Sequence, residues 1–232
     1  MKKSFANWKA FGLLEDGIFK VTKGDSKSAI DKFSKAIEMQ PEMLDAYSFR
    51  GNAYCDLGQY QHALADLDYV IRKSSDHHAA YYNRSIARMA LGESEFALAD
   101  LDRAIELSPQ EAGYYLHRSI VHSFREEYDL GLADAATAIE LGQAKAGHNN
   151  RAVIFEKKGD LRAAISEWTS ILEIEHTNNM AHCRRGLIFA SLKEWEAASD
   201  DLVDGLRNKA GLPDALRQKA EKALLKITGG QS

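Results

Sequence analysis

Gly24, Gly58 and Gly92 stand 34 residues apart, and a fixed period of that length restricts a chain to stacked copies of one supersecondary unit. Five residues after each glycine comes Ala29, Ala63 or Ala97, then Phe33, Leu67 or Leu101, then Ala36, Val70 or Ala104. With one residue deleted in the loop around Gly142, the frame continues through Gly159, Ala164, Trp168 and Ile171. A sixth copy shows Gly186, Phe189, Leu192, Trp195, Ala198 and Leu202, with Lys193 in place of the turn glycine and Gly205 in place of the late alanine. Copy four is similarly worn, with Glu126 and Gly131. The copies run approximately 10–43, 44–77, 78–111, 112–144, 145–178 and 179–211.

Within a copy, the first half repeats small or apolar residues at spacings of three and four, as in Tyr47, Gly51 and Tyr54, which is helical periodicity. A Leu-Gly or Lys-Gly turn follows, where glycine takes the positive φ that ends a helix. The second half, as in Ala63, Leu67, Val70 and Ile71, is helical again. Pro41 and Pro109 stop it at the copy edge, because proline supplies no amide donor. Each copy is thus expected to be a helical hairpin, and the unbroken register predicts one all-α domain over 1–232 whose hairpins bury their faces on their neighbours.

These residues resemble the tetratricopeptide repeat family, whose pattern has a small residue at position 8, an aromatic at 11, alanine at 20 and proline at 32. Gly51, Tyr54, Gly58, Tyr60 and Ala63 fit it in copy two, as do Gly92, Ala97, Leu101, Ala104 and Pro109 in copy three. The match covers about nine tenths of the chain. It implies a right-handed α-solenoid of six hairpins. Leu212, Ala215, Leu216, Ala220, Ala223, Leu224 and Ile227 add an apolar stripe on an otherwise charged segment, expected as a capping helix at approximately 212–228.

Charge follows the same frame. Position 7 is Arg50, Arg84, Arg118, Arg151 and Arg185 in copies two to six, and position 23 is Asp66, Asp100, Asp134, Glu167 and Asp201. In copy one the signs reverse, with Asp16 and Lys32. The swap preserves attraction within a hairpin, whereas pairing position 23 with the next copy would set Lys32 against Arg50. An ion pair inside each hairpin is therefore expected, rather than an anion-binding row of arginines.

Composition is that of a water-exposed scaffold: 232 residues, 45% hydrophobic, 28% charged, net charge −4. No basic run of the kind that neutralises phosphates is present, so nucleic acid is not expected as a partner. No stretch reaches the roughly 20 apolar residues needed to cross a bilayer, and Lys9, Glu15 and Asp16 interrupt the start in a way no signal peptide would. A cytoplasmic location and no membrane partner are the expectation. Cys55 and Cys183 lie in copies two and six, too far apart for a disulfide in such an array, and read as free thiols. Phe5, Trp8, Phe11, Leu14 and Ile18 make the first helix apolar; packing explains this most simply, with a homodimer through this end as the other reading.

What packing leaves over is the inner curve that the family uses for partners. The resemblance places there Ser48, Phe49 and Asn52 from copy two, and Tyr82, Asn83, Ile86 and Met89 from copy three. Copy four adds Leu116, His117, Ile120 and Phe124. Copy five adds Asn149, Asn150, Val153, Glu156 and Lys157, and copy six Cys183, Arg184 and Leu187. Asparagine offers a donor and an acceptor, so a row of them can pair with an extended peptide backbone while apolar neighbours receive anchors. The expected partner-binding set is Asn52, Tyr82, Asn83, Ile86, Leu116, His117, Ile120, Phe124, Asn149, Asn150 and Arg184.

A subclass of the family binds chaperone C-terminal carboxylates through two asparagines and three cations. Asn52 and Asn83 stand at the asparagine sites, but Ser48, Gly113 and His117 replace all three cations. A carboxylate would lose its charge-assisted bonds, which leaves chaperone docking a distant alternative. Asp76, His77 and His78 are adjacent, and His117 and His122 share a helix, but five residues place the last two on different faces. No nucleophile and base, phosphate loop or helix-turn-helix segment appears. No cofactor, metal or catalytic role is expected. The sequence reads as a non-catalytic adaptor for a protein or peptide partner of unknown identity, or else as a structural subunit held through its outer face or first helix.

Overall fold

The periodicity is realised as a succession of helices in the computed structural model, which describes residues 2–207 and 211–229. Among the described residues there are thirteen helices and no strand. In chain order they are α1 (Lys2–Thr22), α2 (Ser26–Met39), α3 (Leu44–Asp56), α4 (Tyr60–Lys73), α5 (His78–Ala90), α6 (Ser94–Leu107) and α7 (Ala112–Phe124). Next come α8 (Tyr128–Glu140), α9 (Ala144–Lys158), α10 (Leu161–Ile174), α11 (Asn179–Ser191), α12 (Trp195–Arg207) and α13 (Asp214–Gly229). They form two compact units, Met1–Val121 and His122–Ser232, with the boundary inside α7.

The turn that closes each hairpin uses a left-handed residue. Gly24, Gly58, Gly92 and Gly159 have φ between 70° and 80°, a region closed to most side chains. Where the glycine is lost, the geometry is kept: Glu126 and Lys193 both hold φ at 62°. Several helices start on side-chain caps. Asp25, Asp160 and Asn178 accept from the amides of Ser28, Ala163 and Ala181, and His77 Nδ1 accepts from Ala80, which satisfies amides that have no partner inside the helix.

In the first unit α1 packs on α2, α3 on α4 and α5 on α6, while α2 meets α3 and α4 meets α5. The second-helix triads Ala29/Phe33/Ala36, Ala63/Leu67/Val70 and Ala97/Leu101/Ala104 are completely buried. Small residues opposite make room for them: a Cβ on Gly17 would come 2.4 Å from the Phe33 ring, and one on Gly51 would come 2.8 Å from Leu67. In the second unit α8 to α12 pack in sequence, and α13 lies against both α11 and α12. Trp168, Ile171 and Leu172 centre one core, and Cys183, Leu202, Leu212, Leu216 and Ala220 form another beneath α13. Leu216 and Ala220, from the stripe expected to cap the array, are buried in this second core.

Candidate functional site

The charged rows are part of the framework. Arg50 donates to both oxygens of Asp66 at 2.7 and 2.8 Å, and Arg185 does the same to Asp201. Arg84 holds Asp100 at 2.6 and 2.9 Å, Arg151 reaches Glu167 at 2.9 Å, and in copy one Lys32 donates to Asp16 at 3.0 Å. Intra-hairpin pairing therefore holds in these copies, with the sign reversal included; in copy four Arg118 and Asp134 fall in different units. The same arginines also reach back to the preceding hairpin: Arg50 to Ser34, Arg84 to Asp68, Arg118 to Asp102 and Arg185 to Thr169. That second contact was not foreseen, because its acceptor changes identity from copy to copy.

Three of the histidines that stood out in the sequence, His77, His78 and His122, are bonded within the fold. His77 caps α5 and approaches Asp45 at 3.6 Å, His78 Nδ1 meets the Tyr114 hydroxyl at 2.6 Å, and Asp76 is bonded to Ser74. His122 lies 2.7 Å from Glu127 and 3.7 Å from Asp134. Among the described residues no group of three or more His, Cys, Asp or Glu side chains is placed to hold a metal ion.

In the first unit the expected binding residues gather on α3, α5 and α7. The Tyr82 ring lies 4.9 Å from that of Tyr114 and meets His117 edge-on at 5.7 Å. Burial pushes the Tyr114 phenol up to about 12 and raises that of Tyr82, while it holds the His117 imidazole below its ordinary value, since a low-dielectric setting disfavours charge on either group. His117 Nε2 is buried with no hydrogen-bond partner among the described residues. Asn52, Asn83, Ile86 and Leu116 are half-buried, and Ile120 is exposed. The side-chain amides of Asn52 and Asn83 form no hydrogen bond among the described residues; the Asn83 backbone carbonyl accepts from Cys55 Sγ. Ser48, expected on this face, is buried instead.

In the second unit Phe124 is 61% exposed at the end of α7, and Asn149 and Asn150 are half-buried on α9. Cys183 is not on an open face: it is completely buried against Gly205. Arg184 sits in a cleft of about 360 Å³ between α9, α11 and α13, where its Nη1 donates to Glu156 at 3.0 Å. Glu156 accepts from the Trp168 indole through its other oxygen at 2.8 Å. Met180, Leu187 and Leu216 supply apolar walls, and Lys219 closes one side. Sequence reasoning placed Arg184, Glu156 and Leu187 on this side but missed the contribution of α13, which lies outside the repeat frame.

Comparison with known proteins agrees with this architecture. A tetratricopeptide repeat model matches residues 50–112. No curated protein matches the chain. The chain of the APC/C hetero-tetramer Cut9-Hcn1 is similar in fold, with a TM-score of 0.78 at 18% identity over 93% of this chain. The match spans only 43% of that protein's length. TTC0263, a thermophilic repeat protein of Thermus thermophilus, gives 0.66 at 20% identity, covering 93% of this chain and 99% of its own. YrrB, described as having an unusual peptide-binding site, gives 0.60 at 20% identity, covering 82% and 97%. With its 34-residue frame, its buried Ala/Leu triads and its match to the tetratricopeptide repeat model over residues 50–112, the chain has an all-α repeat fold of the tetratricopeptide kind.

Proposed function

We propose that this chain is a non-catalytic interaction scaffold whose hairpins bind an extended segment of a partner protein along the first-helix face. The observation that carries this reading is the presence in the first unit of uncommitted side-chain amides together with half-buried and exposed apolar side chains. The side chains of Asn52 and Asn83 make no hydrogen bond among the described residues, Tyr82 and Ile86 share α5 with Asn83, and Leu116 and Ile120 lie on α7. A peptide backbone uses the amides and its side chains use the apolar neighbours. Burial holds the His117 imidazole below its ordinary value, which disfavours a charge beside the groove, and leaves its Nε2 unpaired inside the fold. Phe124, Asn149, Asn150 and Arg184 supply the corresponding positions of the second unit. The peptide site in YrrB's description is consistent with such a role for the fold. Affinity capture from the native cell followed by crosslinking mass spectrometry tests the reading. Crosslinks on α3, α5 and α7 that disappear with Asn83→Ala and Asn52→Ala are the expected result; capture unchanged by both substitutions would sink it.

A second reading rests on α1. Trp8 is 83% exposed, and Phe11 and Phe19 stand in water beside it. Such a face fits a subunit, or a homodimer, held through this helix. Light scattering across concentrations distinguishes the two: a mass that never departs from the monomer argues against the dimer.

A further inference from the structure

The cleft between α9, α11 and α13 carries unmatched charge. Both Glu156 oxygens are engaged from within, one by the Trp168 indole at 2.8 Å and one by Arg184 at 3.0 Å. Arg184 spends one N–H on that bond, and its Nε is buried without a partner. Lys219, exposed at the rim, forms no ion pair or hydrogen bond among the described residues. Two cations thus line the cleft with a single carboxylate between them, and an unmet buried donor is costly until something supplies an acceptor. Met180, Leu187 and Leu216 add apolar surface next to these donors. A volume of about 360 Å³ is at the small end for a ligand site, with room for a side chain or two.

We propose that this cleft receives an acidic side chain together with an adjacent apolar one from a bound peptide, the carboxylate held by Arg184 and Lys219 and the apolar group by Met180, Leu187 and Leu216. The inference rests on the scaffold reading and adds the chemistry of the segment at this end; it also makes α13 a binding wall as well as a cap. A planar guanidinium with free N–H groups suits a carboxylate better than any neutral acceptor. The carboxylate is a side chain rather than a chain end because a segment extended over successive first helices runs through the cleft.

The test uses the full chain with indole nitrogens labelled. Trp8, Trp168 and Trp195 are its only tryptophans, so the Trp168 N–H signal, bonded to Glu156, reports directly on the cleft. An acetylated and amidated hexapeptide of sequence GELELG is expected to shift that signal saturably, and its lysine counterpart GKLKLG to leave it in place. Lys219→Glu should weaken the response at least tenfold, while Lys219→Arg retains it. No shift, an equal shift with GKLKLG, or indifference to Lys219→Glu overturns the proposal. A response confined to a peptide with a free C-terminal carboxylate overturns the side-chain source. If partner capture depends on Asn83 while Trp168 stays silent, the cleft is wrong and the scaffold stands; if capture ignores Asn83 and Asn52, the scaffold reading itself fails.

Discussion

Arg84 and Asp100 meet in a two-bond fork, Nη2 to Oδ1 at 2.6 Å and Nε to Oδ2 at 2.9 Å. The remaining nitrogen reaches Asp68 of the preceding hairpin, and the guanidinium lies 5.5 Å from the Tyr81 ring centre. The Asp100 side chain is only 3% exposed, so removing its partner leaves a nearly buried carboxylate. Arg88 keeps one bond to it at 2.8 Å, which places the expected loss for Arg84→Ala at about 3 kcal/mol, the lower end for a broken buried pair. Lys32→Ala, at a pair with 33% and 61% exposed side chains, should cost under about 1 kcal/mol. Urea denaturation of the two variants measures the contrast, and equal losses would contradict it.

The intra-hairpin pairs were legible because charge sign at two fixed positions varies together, and the reversal at Asp16 and Lys32 acts as an internal control. The reach-back contacts were not, since Ser34, Asp68, Asp102 and Thr169 share acceptor chemistry but neither type nor charge. Inner-face assignments failed where a position faces a neighbour as well as the open side: Ser48 and Cys183 are buried, whereas Asn52 and Asn83 are half-buried. The cleft under Lys219 was invisible to the frame because α13 is not a copy of anything before it.

Glu126 and Lys193 occupy left-handed backbone that four glycines occupy in the equivalent turns. A side chain there costs roughly 1–2 kcal/mol, partly offset because glycine is freer in the unfolded chain. Glu126→Gly and Lys193→Gly are each expected to stabilise the protein by about 0.5–1 kcal/mol. Raised denaturation midpoints with unchanged slopes would agree; a fall in both would show that the side chains contribute more than their backbone costs.

Burial raises the thiols of Cys55 and Cys183 to about 11, with Asp56 and Asp201 adding smaller upward effects. Thiolate is the reactive form, so at pH 8 both are protonated as well as enclosed. A disulfide reagent should leave the native protein untouched and titrate two thiols once it is unfolded. Stoichiometric reaction of either cysteine in the native state would contradict the burial.

His117 is held below its ordinary value near 6.5 by burial. Above that value it is neutral whether the chain is folded or not, and it contributes no pH dependence. As pH falls below 6.5 the unfolded chain takes up the proton first, so this residue's contribution lowers stability until its depressed folded value is passed. An imidazole resonance titrating below 6.5 is expected, together with a weaker loss of stability between pH 6.5 and 5 in His117→Gln than in the parent. A midpoint at or above 6.5 would reverse the sign and rule the burial effect out.

Gly205 stands where other copies carry the late alanine, valine or isoleucine of the second helix, and the reason is Cys183. A Cβ at 205 would come 2.6 Å from Cys183 Sγ, 2.8 Å from its amide nitrogen and 3.0 Å from the Asn179 carbonyl. Two of these three atoms are backbone, so α11 and α12 would have to separate. Gly205→Ala gains helix propensity of about 1 kcal/mol but should lose more through overpacking, which typically costs 1–3 kcal/mol; a net destabilisation of about 1 kcal/mol is expected. Adding Cys183→Ala removes the sulfur but not the backbone contacts, so the double variant should recover only part of any loss due to overpacking at 205. Complete recovery, read from a double-mutant cycle of denaturation free energies, would show that the thiol alone sets the approach of the two helices. Partial recovery would place the limit in the close backbone packing that copy six adopts beneath α13.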